Sequence, residues 1–425
     1  MKASIALAPA LRDATLMVAG VASGKSLADE FERIAEEGSE TPRSALIDLT
    51  HGTLRRFGRV QAIVRALSHR EHADPVVAAL LWCSLYALES GRYADYTVVD
   101  QAVRAGSMLE KWAAKGYVNA LLRAYLRERR SIEARIAADL EAHYQHPRWW
   151  IEALRAAYPA AWEAILGAGN VHPPMCLRVN RRRERVADYQ ARLAANGIAA
   201  RQIGEDALLL ERALPVERLP GFEQGAVSVQ DAGAQRAARC LGLTSGLRVL
   251  DACAAPGGKS AHILEIAGVA LTALDVDEAR LARLERNLSR LSLRADLARA
   301  DCTRLAEWWN GVAFDRILAD VPCSASGVAR RHPDLKWLRR AQDLPAFAAR
   351  QSVILDALWQ VLAPDGKLLY VTCSVFPQEN EDVVKAFVAR ARDARPVPLP
   401  DGAAGQWLPG AEHDGFYYAL IEKQA

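Results

Sequence analysis

The chain has 425 residues, 51% hydrophobic and 25% charged, with a formal net charge of +3 at pH 7. Such a length calls for two or three domains, because single cores rarely pass about 250–300 residues, and the composition excludes a disordered or fibrous chain. Near-neutrality excludes wholesale electrostatic binding, so any nucleic-acid surface has to come from local clustering of arginines.

At the N-terminus, Lys2 followed by ASIALAPAL imitates a secretory signal, but Arg12 and Asp13 interrupt it and Ala14 to Val21 continues as a helix. No stretch approaches the ~18 uninterrupted apolar residues of a membrane helix. SGKS at Ser23–Ser26 imitates a phosphate-binding loop, yet Ala19 stands where its first glycine belongs. Residues 1–140 then read as a bundle of helices. Thr41 and Pro42 make a cap and a first-turn proline, followed at helical spacing by Leu46, Leu49, Thr53, Phe57, Val60, Val64 and Leu67. Asp74–Pro75 repeats the device. Trp82 and Cys83 read as core.

Within this bundle HGTLRRF (51–57), VVDQAVRAG (98–106) and GYVNALLRA (116–124) resemble the landmarks of NusB-type RNA-binding helical domains. That resemblance makes Arg55, Arg56, Arg123, Arg127, Arg129 and Arg130 candidates for phosphate contacts.

Residues 141–235 are expected to form a connecting helix and a small α+β RNA-binding subdomain. A charged helix breaks at His146–Pro147, with Trp149 and Trp150 as anchors against a neighbour; His143 and His146 lack a third metal ligand. Strand-like pieces follow at CLRVN, IAARQI and ALLLE. The run Arg178, Asn180, Arg181, Arg182, Arg183, Arg185 is either a solvated face or an RNA-backbone strip, and in a nearly neutral chain the strip is the expectation.

From residue 236 to 425 strand and helix patterns alternate, predicting an α/β, Rossmann-like, doubly wound domain. GLRVLDACAAPGGKSAHILEI (246–266) reads as strand, tight loop and helix N-terminus, the place where open parallel sheets bind nucleotides. It matches neither a phosphate-binding loop, since Cys253 stands at the first-glycine position, nor Gly-x-Gly-x-x-Gly. Gly257 and Gly258 let the backbone approach a ligand without wrapping a pyrophosphate. S-adenosylmethionine is such a ligand: its carboxylate suits the helix N-terminus and Lys259, and its ribose suits Asp275, 24 residues after Asp251 at the end of the next strand. Asp275 as a plain helix cap is the alternative. Asp251, Asp275, Asp301, Asp320 and Cys373 all fall at carboxyl ends of strands.

The seven cysteines form no CxxC pair and are odd in number, which excludes a zinc ribbon and a disulfide framework; reduced thiols in a cytoplasm, with no metal, are expected. Two of them carry chemistry. DVPCS (320–324) follows one strand and VTCSVFPQENE (371–381) another, so two thiols and a carboxylate face one substrate. Carbon 5 of a pyrimidine is too poor a nucleophile to take a methyl directly, but a thiolate adding at carbon 6 pushes electron density onto carbon 5. A nearby acid assists at the ring nitrogen, and a base later removes the carbon 5 proton. The chemistry alone does not choose which of Cys323 and Cys373 attacks.

Together, DACAAPGGKS, Asp275, Asp301, DVPCSASGVARRHPDLKW and YVTCSVFPQENE resemble the RNA 5-methylcytosine methyltransferases of the Sun (RsmB) type, from about Pro173 to the C-terminus, with the NusB-like domain completing that architecture. The resemblance implies a multidomain chain and S-adenosylmethionine bound by Cys253, Ala254, Ala255, Pro256, Gly257, Gly258, Lys259, Asp275, Asp301 and Asp320. It implies Cys373 as nucleophile, Cys323 assisting product release, and a cytosine of 16S ribosomal RNA as substrate. Cys302 beside Asp301 is bulkier than the small residue commoner there. A cytoplasmic monomer without a membrane association is expected. The same chemistry on transfer RNA, and a non-catalytic RNA-binding assembly factor, are the alternatives.

Overall fold

The computed structural model describes residues 7–68 and 74–425; Lys2 to Ala6 of the signal-like stretch lie outside the described residues. The chain divides into two compact units, Met1–Val171 with Ala329–Ala341, and His172–Val328 with Gln342–Ala425.

The first unit is helical, around a core that includes Leu11, Met17, Leu54, Leu80, Cys83, Val98, Leu122 and Tyr125. Cys83 is core, as its apolar surroundings dictated; burial pushes its thiol up to about 12. Asp74 caps the helix Pro75–Glu89 by accepting from the Val76 and Val77 amides. The helix expected to start after Thr41 begins at Arg43, and Thr41 Oγ1 instead donates to the buried Asp13 at 2.6 Å. The single helix read through to Leu67 is two, Arg43–Arg55 and Phe57–Leu67, broken at Arg56. Both halves bury one continuous stripe, Leu49 and Leu54 and then Phe57, Val60 and Val64, so the apolar period ran on across the break. Trp150 is fully buried, in keeping with an anchor.

The segment Ala329–Ala341 belongs to this helical unit. Lys336, fully buried, donates to Arg55 O at 3.3 Å, Gln145 O at 2.9 Å and Asn170 Oδ1 at 3.0 Å. Carbonyls near helix C-termini carry partial negative charge, so two helix ends and the Asn170 side-chain amide, rather than an acid, accept from this amine, whose pKa burial pushes well below the usual lysine range. Trp337 Nε1 donates to Leu54 O, and Asp334 accepts from Leu27 N.

The second unit holds two sheets. In the first, β1 (Cys176–Val179), β2 (Ala200–Gln202), β3 (Ala207–Leu210) and β4 (Val227–Val229) pair antiparallel in the order β2-β3-β1-β4. The second contains β5 (Arg248–Asp251), β6 (Ala270–Asp275), β7 (Asp296–Arg299), β8 (Phe314–Asp320), β9 (Leu362–Thr372), β10 (Ala394–Val397), β11 (Gln406–Trp407) and β12 (Phe416–Lys423). Its main order is β10-β12-β9-β8-β5-β6-β7, with β11 beside β12. Strands β5 to β9 are parallel, as the alternating pattern predicts, and β12 enters antiparallel between β9 and β10. Both faces are buried: Val249, Leu318 and Leu369 pack on one, Leu250, Ile317 and Leu368 on the other. Because β6 and β8 flank β5 on opposite sides, the carboxyl ends of β5 and β8 open the crevice where such sheets bind ligands.

In the arginine run Arg178 is a correction, while Arg181, Arg182, Arg183 and Arg185 are exposed. Arg178 is fully buried and not on an RNA strip: it pairs with Glu265 at 2.9 Å and donates to Gly258 O and Gln230. Arg182 donates to Leu264 O and Arg183 to Leu291 O, each at the last turn of a helix, Gly258–Ile266 and Glu278–Leu291. Arg181 lies near Glu205 and Asp206, and Arg185 pairs with Asp188. Two of the five, Arg182 and Arg183, pin the small sheet's loop to helix C-termini, whose dipoles favour cations, and the other three pair with carboxylates.

Candidate active site

The loop Cys253–Gly257 leaves β5 and turns at Gly257, whose φ of +95° suits glycine; a Cβ there would also fall 2.7 Å from Leu284 Cγ. The helix Gly258–Ile266 then starts with its amides toward the crevice. Asp275 ends β6 and is 4% exposed; its carboxylate accepts from Ala255 N and Asp277 N at 3.1 Å each, so it fastens the loop and keeps lone pairs for a further donor. Asp301 follows β7 and accepts from the Thr303 amide and hydroxyl, which holds it below the usual carboxylate range. Cys302 is buried in the core that takes in Cys253 and Leu305, an apolar flank to the same crevice.

Lys259 and Asp320 form an ion pair at 2.5 Å. Burial lowers the Lys259 pKa, but the Asp320 carboxylate outweighs it, so the ammonium stays charged. This lysine is therefore engaged at the end of β8 rather than standing free for a ligand carboxylate. Asp251, fully buried, accepts from Ser260 Oγ at 2.6 Å, while its other oxygen has no well-formed hydrogen bond; burial raises it to about 7.

The donor set fits S-adenosylmethionine: strand-end carboxylates for ribose and amino groups, helix amides for a carboxylate, and an apolar flank of Cys253, Cys302 and Leu305.

The two thiols project from the ends of β8 and β9. Cys323 Sγ and Cys373 Sγ lie 3.4 Å apart, with Cys323 9% exposed and Cys373 more open. Gly327 brings their loops together: its amide donates to Cys373 O at 2.8 Å, its carbonyl accepts from Gly415 N, and a Cβ on it would fall 2.2 Å from Gly415 O. Cys323 is pushed well above the usual thiol range by its hydrogen bond with Cys373 and by burial.

The structure thus brings Cys253–Lys259, Asp275, Asp301, Asp320, Cys323 and Cys373 to the carboxyl edge of one sheet. Of the arginines singled out in the helical unit, Arg55 turns inward, donating to Arg330 O, and does not face solvent for a phosphate. Arg56, Arg123, Arg127, Arg129 and Arg130 are exposed. Sequence reasoning gave no role to Glu379, Gln351 or Asn380, buried polar groups around the thiol loops; the run PQEN within the quoted motif was the signal for Glu379 and Asn380, and Gln351, in the helix Asp343–Val361, had none.

Residues 238–422 match the description 16S rRNA methyltransferase RsmB/F, residues 146–217 the ferredoxin-like domain of RsmF/B-like methyltransferases, and residues 12–127 the NusB family. The chain is 44% identical to ribosomal RNA small subunit methyltransferase B of Pseudomonas putida, over 96% of this chain and 97% of that one. It is 43% identical to the protein of that name from Vibrio cholerae, over 94% of each. Among solved structures, the crystal structure of PH0851 shares the fold with a TM-score of 0.79 at 22% identity, covering 97% of this chain and 99% of that one. A methyltransferase homologue from Pyrococcus horikoshii has a TM-score of 0.58 at 28% identity, covering 67% and 97%. With a relative this similar over nearly its whole length, the strand-end site belongs to a known lineage: the chain is a member of the RsmB/F family of S-adenosylmethionine-dependent 16S rRNA methyltransferases.

Proposed function

We propose that this protein transfers a methyl group from S-adenosylmethionine to carbon 5 of a cytosine in 16S ribosomal RNA through a covalent cysteine–cytosine intermediate. The observation that carries the reading is the pair of thiols 3.4 Å apart on adjacent strand ends, with the Lys259–Asp320 pair at the end of the same β8 strand. Amino-group methylation needs no such pair.

When bound, S-adenosylmethionine supplies the electrophilic methyl. Cys253 to Lys259, Asp275, Asp301 and Asp320 line its site, with Asp275 holding both the loop and a hydroxyl. Cys373 attacks carbon 6, making carbon 5 nucleophilic. Asp320, ion-paired with Lys259, hydrogen-bonds the base at its ring-nitrogen edge and orients it. After methyl transfer a base takes the carbon 5 proton, the Cys373–carbon 6 bond breaks, and Cys323 assists by giving its proton to the departing sulfur. The functional division follows residues 1–140 for RNA gripping, 141–235 as connector and small RNA-binding subdomain, and 236–425 for catalysis. The exposed Arg56, Arg123, Arg127, Arg129 and Arg130 are the phosphate contacts of the first. We place the enzyme in the cytoplasm as a monomer; no helix among the described residues is long and apolar enough to cross a membrane.

Bisulfite sequencing of 16S ribosomal RNA and transfer RNA from a strain lacking this gene tests the reading. One cytosine of 16S RNA should lose its 5-methyl mark. Loss on a transfer RNA instead would transfer the chemistry to that substrate, and no loss in either would favour an assembly factor.

A further inference from the structure

One side chain holds both thiol loops and belongs to neither strand. Glu379 lies in the short turn Pro377–Glu379 and is 0% exposed. Its Oε1 accepts from Ser324 N at 2.7 Å, and its Oε2 accepts from Ser374 Oγ at 2.6 Å. Ser324 and Ser374 directly follow Cys323 and Cys373. Gln351, also buried, donates to Pro322 O at 3.0 Å and to Glu379 Oε1 at 3.3 Å. Cys323 is therefore fixed on both sides, by the carbonyl before it and the amide after it. The Cys373 turn is closed likewise, with Thr372 Oγ1 donating to Asn380 Oδ1 and Asn380 Nδ2 donating to Ser374 O at 2.9 Å.

We propose that Glu379 is the positioning residue shared by the two thiols: its carboxylate ties the turn after Cys323 to the turn after Cys373 and so sets the distance between the sulfurs. This rests on both cysteines acting on the pyrimidine as proposed above. The two arms call for a carboxylate, since Ser324 N and Ser374 Oγ each donate to a separate oxygen and an amide offers only one acceptor oxygen. Among the described residues no lysine, arginine or histidine pairs with Glu379, so its charge acts on its neighbours uncompensated. That charge adds to the hydrogen bond with Cys373, to burial and to the charge of Cys373 in keeping the proton on Cys323. The neighbouring Cys373 interacts instead with the Lys259 ammonium. A fixed carboxylate on the Cys323 side and a fixed ammonium on the Cys373 side make the two sulfurs unequal: one stays a proton donor and the other is the attacking sulfur.

The test compares Glu379→Gln and Glu379→Asp with the parent in the full chain. Adduct formation is followed under single turnover on unmethylated 16S RNA, and S-adenosylmethionine affinity by calorimetry. Alkylation of Cys323 by iodoacetamide against pH is followed in a Cys373→Ala background without RNA, mapped by peptide mass spectrometry. Glu379→Gln should slow adduct formation about tenfold or more with cofactor affinity unchanged, and should move the Cys323 alkylation midpoint down by about one pH unit. Glu379→Asp should restore the midpoint but not the rate, because the charge returns without the reach. A purely structural role would lower the melting temperature and leave the midpoint in place. A parent-like rate and midpoint in Glu379→Gln overturns the proposal. Should Glu379→Gln fail to fold, Ser374→Ala, which cuts the Oε2 arm along with the Ser374 Oγ contacts to Ser324, Ser326 and Phe376 N but leaves Ser324 N on Oε1, must still slow adduct formation several-fold, and a parent rate there overturns it too. If the parent forms no adduct, the catalytic reading fails, while the alkylation midpoint still decides what Glu379 does to Cys323.

Discussion

Cys323 Sγ stands 3.4 Å from Cys373 Sγ at the ends of the adjacent parallel strands β8 and β9, so both sulfurs reach one ring and neither is a spectator by distance. Substitution separates their roles. Cys373→Ala should form no covalent RNA adduct and no product, because the carbon 5 nucleophile is never generated. Cys323→Ala should add and methylate but stall, leaving an adduct that survives denaturing gels. An adduct with Cys373→Ala and none with Cys323→Ala would exchange the two assignments.

Asp275 serves loop and ligand at once. Asp275→Ala removes an acceptor for the ribose and also releases the amides of Ala255 and Asp277. Affinity for S-adenosylmethionine should fall by about 1.5–3 kcal/mol, read by calorimetric titration. Asp275→Asn should not rescue it, because its amide nitrogen would face one of two N–H donors. Unchanged affinity in either variant would remove Asp275 from the site.

Arg178 is expected to matter for stability and not for RNA. Arg178→Met leaves Glu265 buried without its partner, and breaking a buried pair costs about 3–5 kcal/mol. Denaturant unfolding should show that loss, while the salt dependence of RNA affinity keeps the parent's slope. A flattened slope with intact stability would return Arg178 to the RNA surface.

Stability should fall with acid in a window set by His262. Burial lowers His262 from 6.5 to about 4, so between those values the unfolded chain holds a proton that the folded chain lacks. Stability is then fully present above about pH 6.5 and declines toward pH 4, by up to about 3 kcal/mol for this group. His262→Phe should flatten the decline over that window. An identical pH slope in the variant would mean that His262 is protonated in the folded chain at the Asp206 carboxylate.

The periodicity and spacing of the sequence determined a great deal. Alternating buried strands and helices gave the parallel core, because a strand covered on both faces has to be apolar along its length. The loop DACAAPGGKS and the strand-end acids declared the cofactor crevice, since carboxyl strand ends converge wherever such a sheet is built. Asp74–Pro75 declared a helix start, as capping is a matter of neighbours in sequence. Only the tertiary structure decided the matters that depend on distant partners. It buried Arg178 against Glu265, 87 residues away, so a charge that reads as surface became a clamp. It split one periodic run at Arg56 without moving its apolar stripe. It gave the tail of the Cys323 motif, around Lys336, to the helical unit, where helix-end carbonyls and the Asn170 side chain accept from the lysine's amine. It set Glu379 beneath two turns 50 residues apart in sequence. Local pattern records which residues are apolar or capping, but long-range hydrogen bonds among buried polar groups leave no period, and these fix how the two sulfurs meet.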